Sequence, residues 1–276
     1  MPAPENDLID PTPPAPPAPS TIAPVWHTLL LVAGIVVLSI HGASRMSAIH
    51  GPLNRLATYG FTAAMEAAML AWVLVGLRLR KIPLRSMLGS CPCNLRSIVA
   101  DLGFALAFWI ASLMVLGTLS VAWSGVEAAL AHHPPASHAA HHLGQAPLSP
   151  DPSRLDAVRE LAKLAPDNGR EIAAWALLCL LAGFVEEIVF RGYLQRQFIA
   201  WARGGVTIGV LASAVVFGSA HGYQGARSMV LLAVFGVLFS MLALHRRSLR
   251  PGIFAHAGHD FFAGLALALL RSSHFF

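Results

Sequence analysis

Seven apolar runs divide this chain: Val25–Ile40, Tyr59–Leu77, Ile98–Trp123, Ile172–Leu194, Val206–Ala220, Met229–Leu244 and Ile253–Leu270. No other feature restricts the fold as strongly. A helix that crosses a bilayer needs about 20 apolar residues, with a range of roughly 17–25. The second, third, fourth and seventh runs meet that length, and the first, fifth and sixth need flanking residues to reach it. Inside lipid every backbone N–H and C=O must find a partner within the protein, so such runs form helices or a closed barrel. Their length and lack of strict alternation argue against a barrel. The expected fold class is all-α, a polytopic transmembrane helix bundle of about seven spans (six to eight) enclosing a polar intramembrane site.

Charge supports this. Charged residues make up 12% of the chain, about half the share in a soluble domain and too few to build a water-facing surface. The formal charge of +5 could point to nucleic acid, yet the basic residues lie in short clusters between apolar runs, the pattern that orients membrane proteins. No nucleic-acid partner is expected; the lipid bilayer is. Arg78, Arg80, Lys81, Arg85, Arg96, Arg196, Arg203, Arg246, Arg247 and Arg250 fall in loops on one side, against Arg45, Arg55, Arg227 and Arg271 on the other. That bias predicts a cytoplasmic N-terminus in a plasma or inner membrane, and an odd number of spans would leave the C-terminus outside. The oligomeric state leaves no mark on the sequence.

Four regions follow. Residues 1–24 form a Pro-rich tail without Lys or Arg, unlike a cleaved signal peptide, and are expected to be solvated and extended. Residues 25–123 carry three transmembrane helices. Residues 124–170 hold a tract with His132, His133, His138, His141 and His142, then an amphipathic segment from Ser153 ended by the turn Pro166-Asp167-Asn168-Gly169. The His tract could capture metal, but it lacks neighbouring carboxylates or cysteines and reads more readily as a polar loop. Residues 171–276 are the expected catalytic transmembrane core. The three cysteines make no disulfide framework: Cys179 belongs to core packing, and Cys91-Pro92-Cys93 is a lone pair without further metal ligands.

Ionisable groups inside apolar spans cost about 2.5–3.5 kcal/mol each on insertion scales, so each requires a reason. The fourth run contains Glu186-Glu187-Ile-Val-Phe-Arg191. Glu187 and Arg191 are spaced i, i+4 with the acid first, the favourable order for a helical ion pair. Glu186 points about 100° away and has no cation on its own helix. The fifth run ends Phe217-Gly-Ser-Ala-His221, and the seventh contains His256-Ala-Gly-His259-Asp260, where His256 and Asp260 share a face. Small residues flank both histidines, leaving room for close helix approach. Glu66 and Asp101 match no such pattern and are assigned to interhelical polar contacts.

A glutamate in a dry pocket can act as general base, and imidazoles can orient water, bind a divalent metal or stabilise an oxyanion. That set suits water attack on a peptide carbonyl. The chain has no H-E-x-x-H, no G-x-S-x-G and no G-x-x-x-x-G-K-[ST], which excludes a standard zincin and gives no support to a serine hydrolase or an ATPase. Two other classes use intramembrane acids and histidines: a non-catalytic polytopic immunity or partner protein that kept the pocket, and a proton-coupled transporter, for which no inverted repeat is seen.

At these residues the chain resembles the type II CAAX prenyl endopeptidase and bacteriocin-processing (CPBP, or Abi) family. Its pattern is Glu-Glu-x-x-x-Arg, then Phe-x-x-x-His, then His-x-x-x-Asn, and the likeness covers about Ile172 to Leu270, with Arg191-Gly192-Tyr193-Leu194 and Ser248-Leu249-Arg250-Pro251 as agreeing flanks. The resemblance implies an intramembrane endopeptidase acting on a membrane-associated peptide or protein, prenylated or bacteriocin-like. Glu186 and His221 would activate water, His256 and Asp260 would hold the oxyanion or complete a water and metal site, and Glu187 with Arg191 would support Glu186. It leaves open a zinc ion on Glu186, His221 and His256. Asp260 stands where the family has Asn, so it is either a protonated donor or an ionised partner of His256 or a metal. The positions also raise a depth problem: His221 lies about 16 residues along its helix and His256 about 5 along its own, different depths at 1.5 Å per residue unless tilt, staggered starts or broken helices intervene.

Overall fold

The computed structural model describes residues 20–48, 53–89, 94–132, 158–159 and 161–273. The Pro-rich tail to residue 19, Cys91 and Cys93, the His-rich tract beyond His132, and residues 153–157 and 160 of the segment beginning at Ser153 lie outside the described residues.

The chain folds into helices α1 (Val25–Ala48), α2 (Arg55–Leu79), α3 (Arg85–Leu88), α4 (Leu95–His132) and α5 (Gly169–Glu186). A π-helical stretch, Glu187–Leu194, carries α5 directly into α6 (Gln195–Trp201). Then come α7 (Val206–Ala220), a 3-10 turn (Gly222–Gln224), α8 (Ala226–Arg246) and α9 (Arg250–Ser272). Among the described residues the only β-type pairing is an isolated bridge between Gly89 and Ser248. Six helical stretches are long and apolar enough to cross a membrane: Val25–Ser44, Arg55–Leu79, Leu95–Leu130, Gly169–Trp201, Ala226–Arg246 and Arg250–Ser272. Flanking residues lengthen the first and sixth apolar runs to 24 and 21 helical residues. The fifth gains nothing. α7 has 15 residues, ~22 Å at 1.5 Å per residue, less than the ~30 Å of a hydrocarbon core.

The loops sort to two ends. At one, the Arg196 guanidinium donates to the Ser86 carbonyl (2.8 Å), Leu249 N–H donates to Leu88 (3.1 Å), and Gln197 accepts from Ile22 and Ala23 N–H at the entry to α1. At the other, Arg55 pairs with Glu171 (3.3 Å), Arg271 donates to the Ala162 and Ala165 carbonyls, and Arg227 pairs with Glu127 (3.7 Å). The three loop clusters that hold most of the basic residues therefore share one end, as the charge count requires. Asn168 caps α5 by accepting from Glu171 N–H (3.1 Å), so the turn before the motif helix also starts it.

Burial shows which helix is central. In the most apolar window of Gly169–Trp201, 44% of residues are buried, against 17–28% in the other five spans. Val185, Ile188, Val189, Phe190, Tyr193 and Leu194 are sealed within the bundle. Leu29, Leu30, Val37 and Ile40 on α1 are each more than half exposed, the arrangement of a lipid-facing surface.

One detail departs from the sequence expectations, and another fills one in. The fourth run is not a uniform α-helix, because i→i+5 bonding begins at Glu187. Such bonding widens a helix and recurs at functional sites. The Ser213 hydroxyl of α7 donates to the Phe190 carbonyl inside this stretch (2.6 Å). Asp101 does have partners: Arg246 at 3.4 Å and Arg250 at 3.1 Å reach it from the α8–α9 junction. Its polar-contact role stands, with its cations more than 140 residues away in sequence. Cys179 is free and buried, as core packing predicts.

Candidate intramembrane catalytic site

The π-helical stretch, the C-terminal end of α7 and the first three turns of α9 meet at the centre of the bundle. Glu187 is fully buried and its Oε1 takes two partners, Arg191 at 3.0 Å and the His256 Nδ1 at 3.1 Å. The i, i+4 ion pair expected from sequence is thus present, and it reaches the seventh run. Arg191 is boxed by three rings, its guanidinium carbon 4.3 Å from the Phe217 centroid, 5.2 Å from Phe239 and 5.9 Å from Phe190. Aromatic faces attract the cation and exclude water from it.

The other edge of His256 faces different acids. Its Nε2 lies 3.6 Å from Glu186 Oε2 and 3.7 Å from Asp260 Oδ2. Exposure rises along this line, from 0% and 4% for the Glu187 and His256 side chains to 13% for Glu186 and 31% for Asp260. The pocket has a sealed end and an open end. Close packing brings the acids here: a Cβ on Gly183 would strike the Ala257 backbone nitrogen at 2.8 Å, and one on Gly252 would stand 2.9 Å from Glu187 Oε2. Neither position has space for a side chain, so both glycines let α5 and α9 touch.

His221 caps α7. Its Nδ1 is 2.9 Å from the Phe217 carbonyl, which can only accept, so Nδ1 carries the hydrogen and Nε2 is free. The Ser39 hydroxyl of α1 fixes the residues beside it, donating to the Ser219 carbonyl (2.6 Å) and accepting from Gly222 N–H (3.0 Å). The Phe217 ring lies 4.9 Å from the His221 ring and 5.9 Å from the His256 ring, so the motif phenylalanine spaces the two imidazoles.

Staggered helix starts resolve the depth problem. Gly209, near the start of α7, packs against Gln195 and Ile199, whereas Leu249, at the start of α9, packs against Gly192. α7 therefore begins about eight residues nearer the basic end, ~12 Å at 1.5 Å per residue, which offsets most of the difference. All six residues singled out from sequence, Glu186, Glu187, Arg191, His221, His256 and Asp260, belong to this one region. His259 turns away and accepts from the Trp109 indole (3.2 Å).

Glu66 of α2, read from sequence as an interhelical polar contact, is buried on the side of α2 that faces the bundle. It is 7% exposed, on a helix that packs against α5, and the charges of Glu186, His256 and Asp260 act on its carboxyl. A lone acid among alanines and methionines carries no motif, so its burial is visible only in the fold. Tyr223 was also missed. Its ring is 6.1 Å from that of His221.

Among the described residues no three His, Cys, Asp or Glu side chains form a group able to hold a metal ion. Glu186, His221 and His256 do not converge into such a group as placed; the bond from His256 Nδ1 to Glu187 leaves its Nε2 open. The expectation of a metalloprotease finds no support in this donor set. A separate cavity of about 250 Å³ opens beside Arg191, between Met87, Arg196 and Leu249; Glu186, His221, His256 and Asp260 do not line it.

Comparison with known proteins is consistent with the three motifs. No curated protein and no solved structure matches the chain. One family model does, over residues 168–262, the stretch that contains both glutamates, Arg191, both motif histidines and Asp260. Over these residues, about a third of the chain, this multi-pass helical membrane protein is similar to the type II CAAX prenyl endopeptidase Rce1-like family.

Proposed function

We propose that the protein is an endopeptidase that cleaves a membrane-associated substrate, such as a prenylated or bacteriocin-like peptide, with a water activated by Glu186 and His221. The observation that carries this reading is the division of labour in the Glu186-Glu187 pair. Glu187 Oε1 is shared by Arg191 and His256 Nδ1 at 3.0 and 3.1 Å in a side chain that is 0% exposed, while Glu186 meets His256 Nε2 only at 3.6 Å and its side chain is 13% exposed. A carboxylate held without a donor is available to take a proton. Glu186 accepts a proton from water as the water oxygen bonds to the scissile carbonyl carbon. The free Nε2 of His221 accepts from the same water and aims it. His256, oriented by Glu187, donates from Nε2 to the developing oxyanion, with Asp260 as a second, protonated donor. As the tetrahedral intermediate collapses, the C–N bond breaks and Glu186 returns its proton to the leaving amine.

The test is mass spectrometry of a peptide library incubated with the reconstituted protein. Defined cleavage by the wild type and none by Glu186→Gln is expected. No cleavage by the wild type, or equal cleavage by both, overturns the reading. The basic-loop end is proposed to face the cytoplasm. Impermeant thiol reagent applied to intact cells is then expected to leave Cys91 and Cys93 unlabelled, and strong labelling there reverses the orientation.

A further inference from the structure

We propose that the cavity beside Arg191, toward the basic end of the bundle, binds a phosphate group carried by a lipid headgroup or by a soluble phosphate ester. The inference goes beyond the endopeptidase reading and does not depend on it, since Glu186, His221, His256 and Asp260 do not line this cavity. Arg191, Arg196 and Arg247 all line its volume of about 250 Å³, and no Asp or Glu does. Arg191 has Glu187 at 3.0 Å, but among the described residues neither Arg196 nor Arg247 has a carboxylate partner. The buried acid of this end, Asp101, is already held by Arg246 and Arg250. A concave site lined by one sign of charge gathers the opposite ion.

The inner wall is made of buried side chains that keep hydrogen-bonding capacity. Arg191 is 3% exposed and its Nε has no acceptor. Gln195, four residues on, is 2% exposed and its Oε1 has no donor. Gln197 shows what a satisfied amide at this end looks like: Oε1 accepts from Ile22 and Ala23 N–H, and Nε2 donates to the Ala23 carbonyl. Buried polar groups without partners are rare in native proteins, and here two of them line one void. The buried Ser248 hydroxyl accepts from Arg250 N–H (3.3 Å), which leaves its own hydrogen to donate.

The exposed rim is held in place by the backbone. Arg196 Nη1 donates to the Ser86 carbonyl (2.8 Å), so the guanidinium is oriented while Nε and Nη2 are left over. Arg247 belongs to the α8–α9 junction, which is stitched to the end of α3 by the Gly89–Ser248 bridge and by Leu249 N–H donating to the Leu88 carbonyl (3.1 Å). Guanidiniums from separate segments suit a tetrahedral phosphate, which accepts from several directions, better than a carboxylate with two oxygens in one plane. A phosphate hydroxyl can in turn donate to Gln195 Oε1. The spans Ala226–Arg246 and Arg250–Ser272 end and begin here, at the level where basic pockets between helices meet lipid headgroups.

Full-length protein in neutral detergent is titrated with phosphatidic acid, read by native mass spectrometry, and separately with glycerol 3-phosphate, read by calorimetry. At least one is expected to bind at a single site, and Arg196→Gln/Arg247→Gln to weaken that binding at least ~10-fold. Arg78→Gln/Arg80→Gln removes the same charge from the same end outside the cavity and is expected to bind as the wild type does. Binding of phosphatidic acid alone identifies the lipid source, and binding of glycerol 3-phosphate the soluble one. Binding of neither, or equal weakening by the two double variants, overturns the proposal. Should loss of the Arg196–Ser86 bond unfold the protein, Arg247→Gln alone decides, because that side chain is exposed. An unchanged affinity in Arg247→Gln then overturns the proposal.

Discussion

Two clusters of this bundle bury carboxylates beside arginines. At the basic end Asp101 is 2% exposed, and its two oxygens each meet a guanidinium, Arg246 at 3.4 Å and Arg250 at 3.1 Å. Arg246 also lies 4.0 Å from the Phe104 ring. In the middle of the bundle Glu66, Glu186 and Glu187 each keep one oxygen without a donor. The first arrangement is complete as it stands and joins α4 to the α8–α9 junction. The second has acceptors to spare and is completed only by water or substrate. In the second cluster it is pairing with an arginine, which Glu187 has and Glu186 lacks, that separates a strut from a working group.

The largest effect expected from this contrast is chemical. Glu186→Gln removes the proposed base while preserving shape, and kcat/KM should fall by about 10³-fold, roughly 4 kcal/mol, with little change in melting temperature. A fall in melting temperature with activity intact would put Glu186 among the struts. Glu187→Gln should do the opposite. It leaves the Arg191 charge buried without its carboxylate, so a loss of about 3–5 kcal/mol of stability is expected in detergent melts. If Glu187→Gln folds normally and abolishes turnover, the roles of the two glutamates are exchanged.

Asp101→Asn should cost less, about 1–3 kcal/mol, because one amide oxygen still accepts and both arginines reach partly to the surface. Its kcat and KM should match the wild type, and a selective loss of kcat would show that the basic-end cluster is coupled to the chemistry. The smallest effect belongs to Asp260→Asn. The amide also donates a hydrogen bond, so activity should stay within about 3-fold and the alkaline limit set by ionisation of Asp260 should disappear. Chelator should change neither variant nor wild type. Loss of bound zinc together with loss of activity in Asp260→Asn would restore the metal reading.

Much of this was legible in the chain because membrane spans are specified locally. The bounds of α7 coincide with the fifth apolar run, and small residues beside the motif histidines mark close helix contacts. The Glu187–Arg191 pair follows from spacing alone. What escaped detection depends on contacts between distant segments. Nothing in Glu187–Leu194 announces i→i+5 bonding; it lacks proline, and its lone glycine packs against Met87 and Leu249, far away in the chain. The partners of Asp101 lie in another helix pair, and Glu66 is one acid in a run whose other face meets lipid. The depth mismatch between His221 and His256 was visible in residue counts. Its resolution, the stagger of α7 against α9, depends on where each helix starts.

The Ser39 hydroxyl gives the first helix a part in the candidate site. By bonding to both Ser219 and Gly222 it brackets His221, so the position of that imidazole is held from α1 rather than from its own hairpin. The residues that match the family therefore do not constitute a portable module. Grafted onto different N-terminal helices, residues 168–262 would bring every motif side chain and still leave His221 without the clamp that sets its aim. Among homologous chains, α1 is then constrained to evolve together with the α7–α8 turn, and exchange of whole halves between relatives should fail more often than exchange of any single helix face toward lipid.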